Sequence, residues 1–214
     1  MDAKAPVKLG PFSRGGKSRI KVRACDHDFP TMAKLTPWGL LLPKYDELFL
    51  YFTASKVTSD FIVDTLELWW LANKSRFPQI KTLLLNQDNG PENHSRRTQF
   101  MARLVEFAHK HQLNIRLAYY PPYHSKYNRI ERCWGILEKH WNGGLLDSVS
   151  AVLNYAKSMT WKGVHPTVSL VPGVYKTGVK LKAKAMAAVE AQLQRLPELG
   201  KWFVDIRVPT PTSC

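Results

Sequence analysis

The sequence predicts an α/β fold, a mixed β-sheet flanked by helices. Three observations lead there. Short apolar runs of strand length recur at residues 38–42, 47–52, 80–86 and 115–120. Between and after the later runs, apolar residues return at spacings of three and four, the period of an amphipathic helix. Turn residues, such as Pro43, Pro78, Asn89-Gly90 and Pro121-Pro122, mark the changes from one period to the other.

Taken in order, residues 2–9 read as a first short strand. Residues 10–37 are rich in Gly, Pro, Ser, Lys and Arg and read as a long basic insertion carrying Arg14, Lys17, Arg19, Lys21 and Arg23. Residues 38–42 and 47–52 form two strands joined around Pro43. Thr58 or Ser59 caps a first helix, Asp60 suits its first turn, and Phe61, Ile62, Leu66 and Trp69 give its buried face. The unbroken apolar run at 80–86 predicts a strand buried on both faces. A second helix spans 96–111, with Phe100, Leu104, Phe107 and Ala108 on one side and His109 and His111 in solvent. Residues 115–120 are the next strand, and the crossover rule makes these later strands parallel. A third helix starts near Asn128 with the stripe Ile130, Trp134, Leu137 and Trp141.

Beyond Gly143-Gly144, Asp147 or Ser148 caps a helix containing Val149, Val152, Leu153 and Ala156. Residues 161–180 are loop-rich. Met186, Val189, Leu193 and Leu196 predict a last amphipathic helix. The expected organisation is therefore an α/β domain at 1–142, a helical C-terminal extension at 143–208 and a disordered tail at 209–214.

Composition narrows the function. The 214 residues are 44% hydrophobic, enough for a packed core, and carry a formal net charge of +14. Such a balance favours a polyanionic partner, because each neutralised phosphate releases counterions. No apolar run approaches the roughly 20 residues that span a bilayer. Three scattered cysteines, Cys25, Cys133 and Cys214, fit reduced thiols and an intracellular setting. Neither a Gly-rich phosphate loop nor a paired Cys-x-x-Cys zinc motif is present.

Two acids stand where chemistry is expected. Asp88 follows the 80–86 strand and precedes Asn89-Gly90, a turn that leaves its carboxylate at the sheet edge. Glu131 opens the third helix beside its apolar stripe. Each has a plain structural role open to it, Asp-Asn-Gly as a turn and Glu131 as a favourable acid at a helix N-terminus. An acid past a strand and an acid opening a helix can also hold a hard divalent cation between them. Asp26-His27-Asp28 is a competing acidic site, and Glu138 reads as solvated.

Together, Gln87-Asp88-Asn89-Gly90, Tyr120-Pro121-Pro122-Tyr123-His124-Ser125 and Asn128-Arg129-Ile130-Glu131 resemble DDE transposases of bacterial insertion sequences, integrase-like members of the RNase H superfamily. The resemblance covers about residues 2–142. Arg129 and Lys126 stand where prolines are frequent in that family. The resemblance implies an RNase H-like mixed sheet in which Asp2, Asp88 and Glu131 bind two Mg²⁺ ions, with Mn²⁺ as a substitute. It implies cleavage at transposon ends, followed by attack of the freed 3′ hydroxyl on target DNA. The implied partners are transposon-end and target DNA and further copies of the chain in the active complex. The implied location is the bacterial cytoplasm, at the nucleoid. Asp2 is the first acid by order, and with only Met1 before it the chain reads as a C-terminal portion of such a protein. His124, Ser125, Lys126, Arg129, Arg14, Lys17 and Arg19 are the expected DNA contacts. Tyr119, Tyr120 and Tyr123 are candidates for stacking on bases, although core or loop packing is the simpler reading. The alternative is a catalytically inactive DNA-binding remnant that interferes with a full-length transposase.

Overall fold

The computed structural model describes residues 1–17, 33–121 and 127–209. The chain divides into two compact units. One comprises Met1–Val57 and Arg129–Val174, the other Thr58–Asn128 and Tyr175–Cys214. Both are mixed α/β structures, and among the described residues there are five α-helices and two mixed sheets. This architecture is consistent with the RNase H-like expectation, but the strands fall into two sheets rather than one.

In the first unit, β1 (Asp2–Ala3), β2 (Val7–Leu9), β3 (Ala33–Leu42), β4 (Glu47–Thr53) and β7 (Thr167–Leu170) form a five-stranded sheet. The expected single strand at 2–9 is broken in two. β1 and β2 pair with β3 at Asp2↔Gly39 and Val7↔Leu35, and Pro6, which has no N–H to give, lies in the gap. Pro37 sits opposite that gap. Its carbonyl accepts from Lys4 N at 2.9 Å, so its own missing N–H faces the same interrupted edge and leaves no ladder partner stranded. β7, in a stretch expected to be loop, pairs parallel with β4.

Helices α3 (Arg129–Trp141) and α4 (Val149–Ser158) complete this unit. The predicted stripe of Ile130, Trp134, Leu137 and Trp141 is buried, with Cys133 added to it. These side chains share a core with Leu35, Leu50, Phe52 and, from α4, Val152 and Ala156. Burial pushes the Cys133 thiol up to about 12, so it packs as a small apolar group. Ser148 caps α4 by accepting from Ala151 N at 3.2 Å.

In the second unit, β5 (Thr82–Gln87), β6 (Asn114–Tyr119), β8 (Leu193–Arg195) and β9 (Phe203–Ile206) form a sheet in the order β5-β6-β9-β8. β5 and β6 are parallel, as the crossover rule predicts, and helix α2 (Thr98–His111) connects them. Helix α1 (Ser59–Asn73) packs on α2. Thr58 caps α1, accepting from Phe61 N at 3.3 Å. Arg103 of α2 joins the two helices, reaching Asp60 and Asp64 of α1 at 2.7 Å each.

Three expectations are corrected in this unit. β5 is buried on one face, not two: Leu83, Leu85 and Gln87 are buried, whereas Leu84 is 57% exposed. The last helix, α5, covers only Ala183–Glu190, and Leu193 belongs to β8, where pairing with β9 overrides the helical spacing. His111 is not in solvent; its ring lies 4.7 Å from that of Phe107 and its Nε2 is 3.0 Å from Glu67. The segment 143–208, expected to be helical, thus holds two helices and three strands. Most of the basic insertion, and the tail from residue 210, lie outside the described residues.

Candidate active site

Asp88 is the first residue after β5, at the carboxyl end of a parallel strand, where open α/β sheets place their ligands. Its setting is built by the loop that follows. Asn93 is buried, and its side-chain amide donates to Asp88 Oδ1 at 3.2 Å and to the Asp88 carbonyl at 3.3 Å. Asn93 is fixed in turn through its own carbonyl, which accepts from the Tyr119 hydroxyl at 2.8 Å and from Gln87 Nε2 at 3.3 Å. Burial raises the Tyr119 pKa, so the hydroxyl stays a donor.

The rest of the loop closes on itself. Asn89 Oδ1 accepts from Ser95 N at 3.3 Å, and the Gly90 carbonyl accepts from His94 N at 3.0 Å. Glu92 accepts from Ser59 N at the start of α1 and pairs with Arg97 at 2.9 Å. A Cβ on Gly90 would stand 2.7 Å from Asn93 Oδ1 and 3.4 Å from Asp88 Oδ1, so only glycine leaves room for this arrangement. Asp88 is exposed, and its Oδ2 takes no hydrogen bond from the described residues.

Glu131 lies in the first turn of α3, between the buried Ile130 and Trp134, and is itself exposed. It takes no hydrogen bond or ion pair from the described residues. Asp2 is half-buried in β1. Its Oδ2 accepts from Trp134 Nε1 at 3.0 Å, and its Oδ1 accepts from Ala3 N at 2.8 Å. Trp134 is one helical turn beyond Glu131, so Asp2 is tied to the helix that carries Glu131. Lys4 adds a second tie at 2.6 Å to Glu138, which is therefore paired and not merely solvated.

Asp2 and Glu131 thus belong to the first unit and Asp88 to the second. Among the described residues there is no group of three or more His, Cys, Asp or Glu that could hold a metal ion. The donor chemistry itself fits a hard cation. Asp88 and Glu131 present carboxylate oxygens to solvent, the ligand type that Mg²⁺ prefers while keeping several of its waters.

Of the expected DNA contacts, Lys17 and Arg129 are exposed. Arg14 is half-buried, and its guanidinium donates to the Lys8 carbonyl. Burial lowers its pKa, against the opposing pull of Glu138. Arg19, His124, Ser125 and Lys126, the rival Asp26 and Asp28, and Tyr123 lie outside the described residues. Tyr119 is buried and hydrogen-bonded, which removes it as a stacking platform. The roles of Asn93, Gln87 and Tyr119 around Asp88 were not readable in the sequence, where nothing marks a loop that folds back on its first residue.

No helix among the described residues is long and apolar enough to cross a membrane. One protein-family model, described as the Rhodopirellula transposase DDE domain, matches residues 1–208. No curated protein and no solved structure matches the chain.

Proposed function

Because the chain belongs to this DDE transposase domain family, a family of polynucleotidyl transferases acting in transposition, we propose that it performs Mg²⁺-dependent DNA strand cleavage and strand transfer. Asp2, Asp88 and Glu131 are its metal-holding carboxylates. The observation that carries this reading is the setting of Asp88. A loop of ten residues wraps to fix one oxygen of that carboxylate and, among the described residues, leaves the other open, an outlay hard to explain for a turn residue alone. Glu131, exposed and without a partner among the described residues beside a buried stripe, supports it.

A bound divalent ion supplies positive charge that stabilises the attacking and leaving oxygens of an in-line phosphoryl displacement. Everything else falls to the chain. Asp88 and Glu131 present oxygen donors, Asn93 fixes the direction of Asp88, and Trp134 fixes that of Asp2. Lys17 and Arg129, with the further expected contacts Arg14, Arg19, His124, Ser125 and Lys126, hold the phosphodiester backbone. The working form is an oligomer of this chain on DNA at the nucleoid.

The test uses the whole chain with labelled duplex DNA bearing a free 3′ hydroxyl, in Mg²⁺ and in Mn²⁺. Nicking and strand joining are expected in the wild type. Asp88→Asn and Glu131→Gln should abolish both while leaving circular dichroism unchanged, since each swap keeps size and removes charge. Near-normal cleavage by either variant sinks the triad. A wild type that binds DNA but cleaves in neither metal replaces this reading with the inactive DNA-binding remnant.

A further inference from the structure

Residues 171–189 contain four lysines, Lys176, Lys180, Lys182 and Lys184, and no acid. All four are exposed, and none of their side-chain ammonium groups has an ion-pair or hydrogen-bond partner among the described residues. Lys4, Lys110 and Lys162 pair with carboxylates, whereas Lys44, Lys56, Lys74 and Lys157 are exposed, scattered along the chain and likewise share no ion pair among the described residues.

The segment is held to its own unit at two points. The Tyr175 hydroxyl donates to Asp64 Oδ2 at 3.0 Å, with its ring edge-on to Phe61 at 5.3 Å. Leu181 N donates to Thr98 Oγ1 at 3.2 Å. Around the second pin Val179 and Leu181 are half-buried while Lys180 and Lys182 are exposed. Lys182 has extended backbone angles, φ −68° and ψ 154°.

The helix that follows sharpens the point. Lys182 is the N-cap of α5 and Lys184 lies in its first turn; no side chain caps this end and no acid lies in the turn. Cations at a helix N-terminus oppose the helix dipole, whereas an anion there is stabilised by it. The placement costs stability in the free chain and is relieved when an anion arrives.

We propose that residues 175–184 form a pinned strap that binds the phosphodiester backbone of DNA, separately from the carboxylate site. The choice of DNA as the polyanion rests on the function proposed above.

The experiment measures binding of the whole chain to random-sequence duplex DNA over a range of salt concentrations, in a chelator. No divalent ion is present, so the outcome is independent of whether the chain cleaves. Each lysine that neutralises a phosphate adds about 0.9 to the steepness of log K against log salt. Changing all four lysines to Gln should therefore reduce the steepness by roughly 2 to 3.6, sequence-independently. A control with Lys44, Lys56, Lys74 and Lys157 changed to Gln should reduce it much less. Should the fourfold variant melt lower than wild type, Lys180→Gln and Lys182→Gln are measured singly, each with an expected loss of about 0.9. An unchanged slope, or a control that loses as much as the strap variant, overturns the proposal. So does a strap variant that keeps its DNA slope but loses binding to phosphatidylserine vesicles, which would assign the strap to a membrane surface.

Discussion

Asn93 and Asp88 are joined twice, by hydrogen bonds from one side-chain amide to the Asp88 carboxylate and to the Asp88 carbonyl. Five residues apart, they close a loop whose interior is glycine at Gly90 and whose floor is the buried pair Gln87 and Tyr119. The rotamer of Asp88 is thereby set by a neighbour that never has to reach solvent.

Asn93→Ala should weaken divalent-ion binding and cleavage together, by about 10–100-fold, the usual cost of losing a group that orients a metal-binding side chain. Isothermal titration with Mn²⁺ and a nicking assay would measure the two effects. A variant with normal metal affinity but a lowered melting midpoint would make Asn93 a purely structural loop residue.

Gly39 lies in β3 beneath α3. A Cβ there would come within 2.7 Å of both Ile130 Cδ1 and Trp134 Cη2, two buried side chains with little room to shift. Gly39→Ala should destabilise the first unit by about 1–3 kcal/mol, the range for overpacking a tight core. Because Trp134 also donates to Asp2, the tryptophan fluorescence should change as well. Urea unfolding followed by fluorescence reads both; an unaltered midpoint would refute the close packing of α3 on β3.

Arg116 and Asp205 face each other across β6 and β9 with two hydrogen bonds of 2.7 Å. The Arg116 hydrogen bonds hold the Asp205 carboxyl below its ordinary range, although partial burial pulls the other way. A depressed carboxylate stabilises the fold above its unfolded pKa of about 3.9 and stops doing so as pH falls through the lower folded value. Asp205→Asn should therefore melt below wild type at neutral pH, with the two curves converging in acid. The gap should be small and shrink with salt, because Arg116 is half-exposed. A gap that is constant with pH would mean the pair contributes no charge-dependent stability.

Sequence reading succeeded where the signal is local. The cap candidates Thr58 or Ser59 and Asp147 or Ser148 announce their helices by type, with Thr58 and Ser148 serving in the fold, and the spacing of Ile130, Trp134, Leu137 and Trp141 describes a buried face that the fold reproduces. It failed where the partner is distant. Thr167–Leu170 and Phe203–Ile206 become strands only because β4 and β6 offer them an edge, and nothing in four residues reveals that. The run Leu83-Leu84-Leu85 misled for another reason: a continuous apolar stretch does not say which of its faces is covered, and Leu84 points outward. At the candidate site the place of Asp88 just past a strand and of Glu131 in the first turn of a helix was legible. The companions of Asp88 were not, because their role depends on a loop doubling back rather than on any periodicity.

The chain passes from one unit to the other and back before it ends: each unit is made of two separate stretches. During synthesis the first unit must therefore wait for β7 to emerge before its sheet is complete, and the second must wait for β9, almost at the end of the described chain. Pairings between such remote segments close slowly, because the intervening chain has to be ordered before the contact repays it. A ribosome that stalls midway through this stretch leaves two unfinished sheets with open edges rather than one finished unit and one missing, and open edges are prone to pair with other chains.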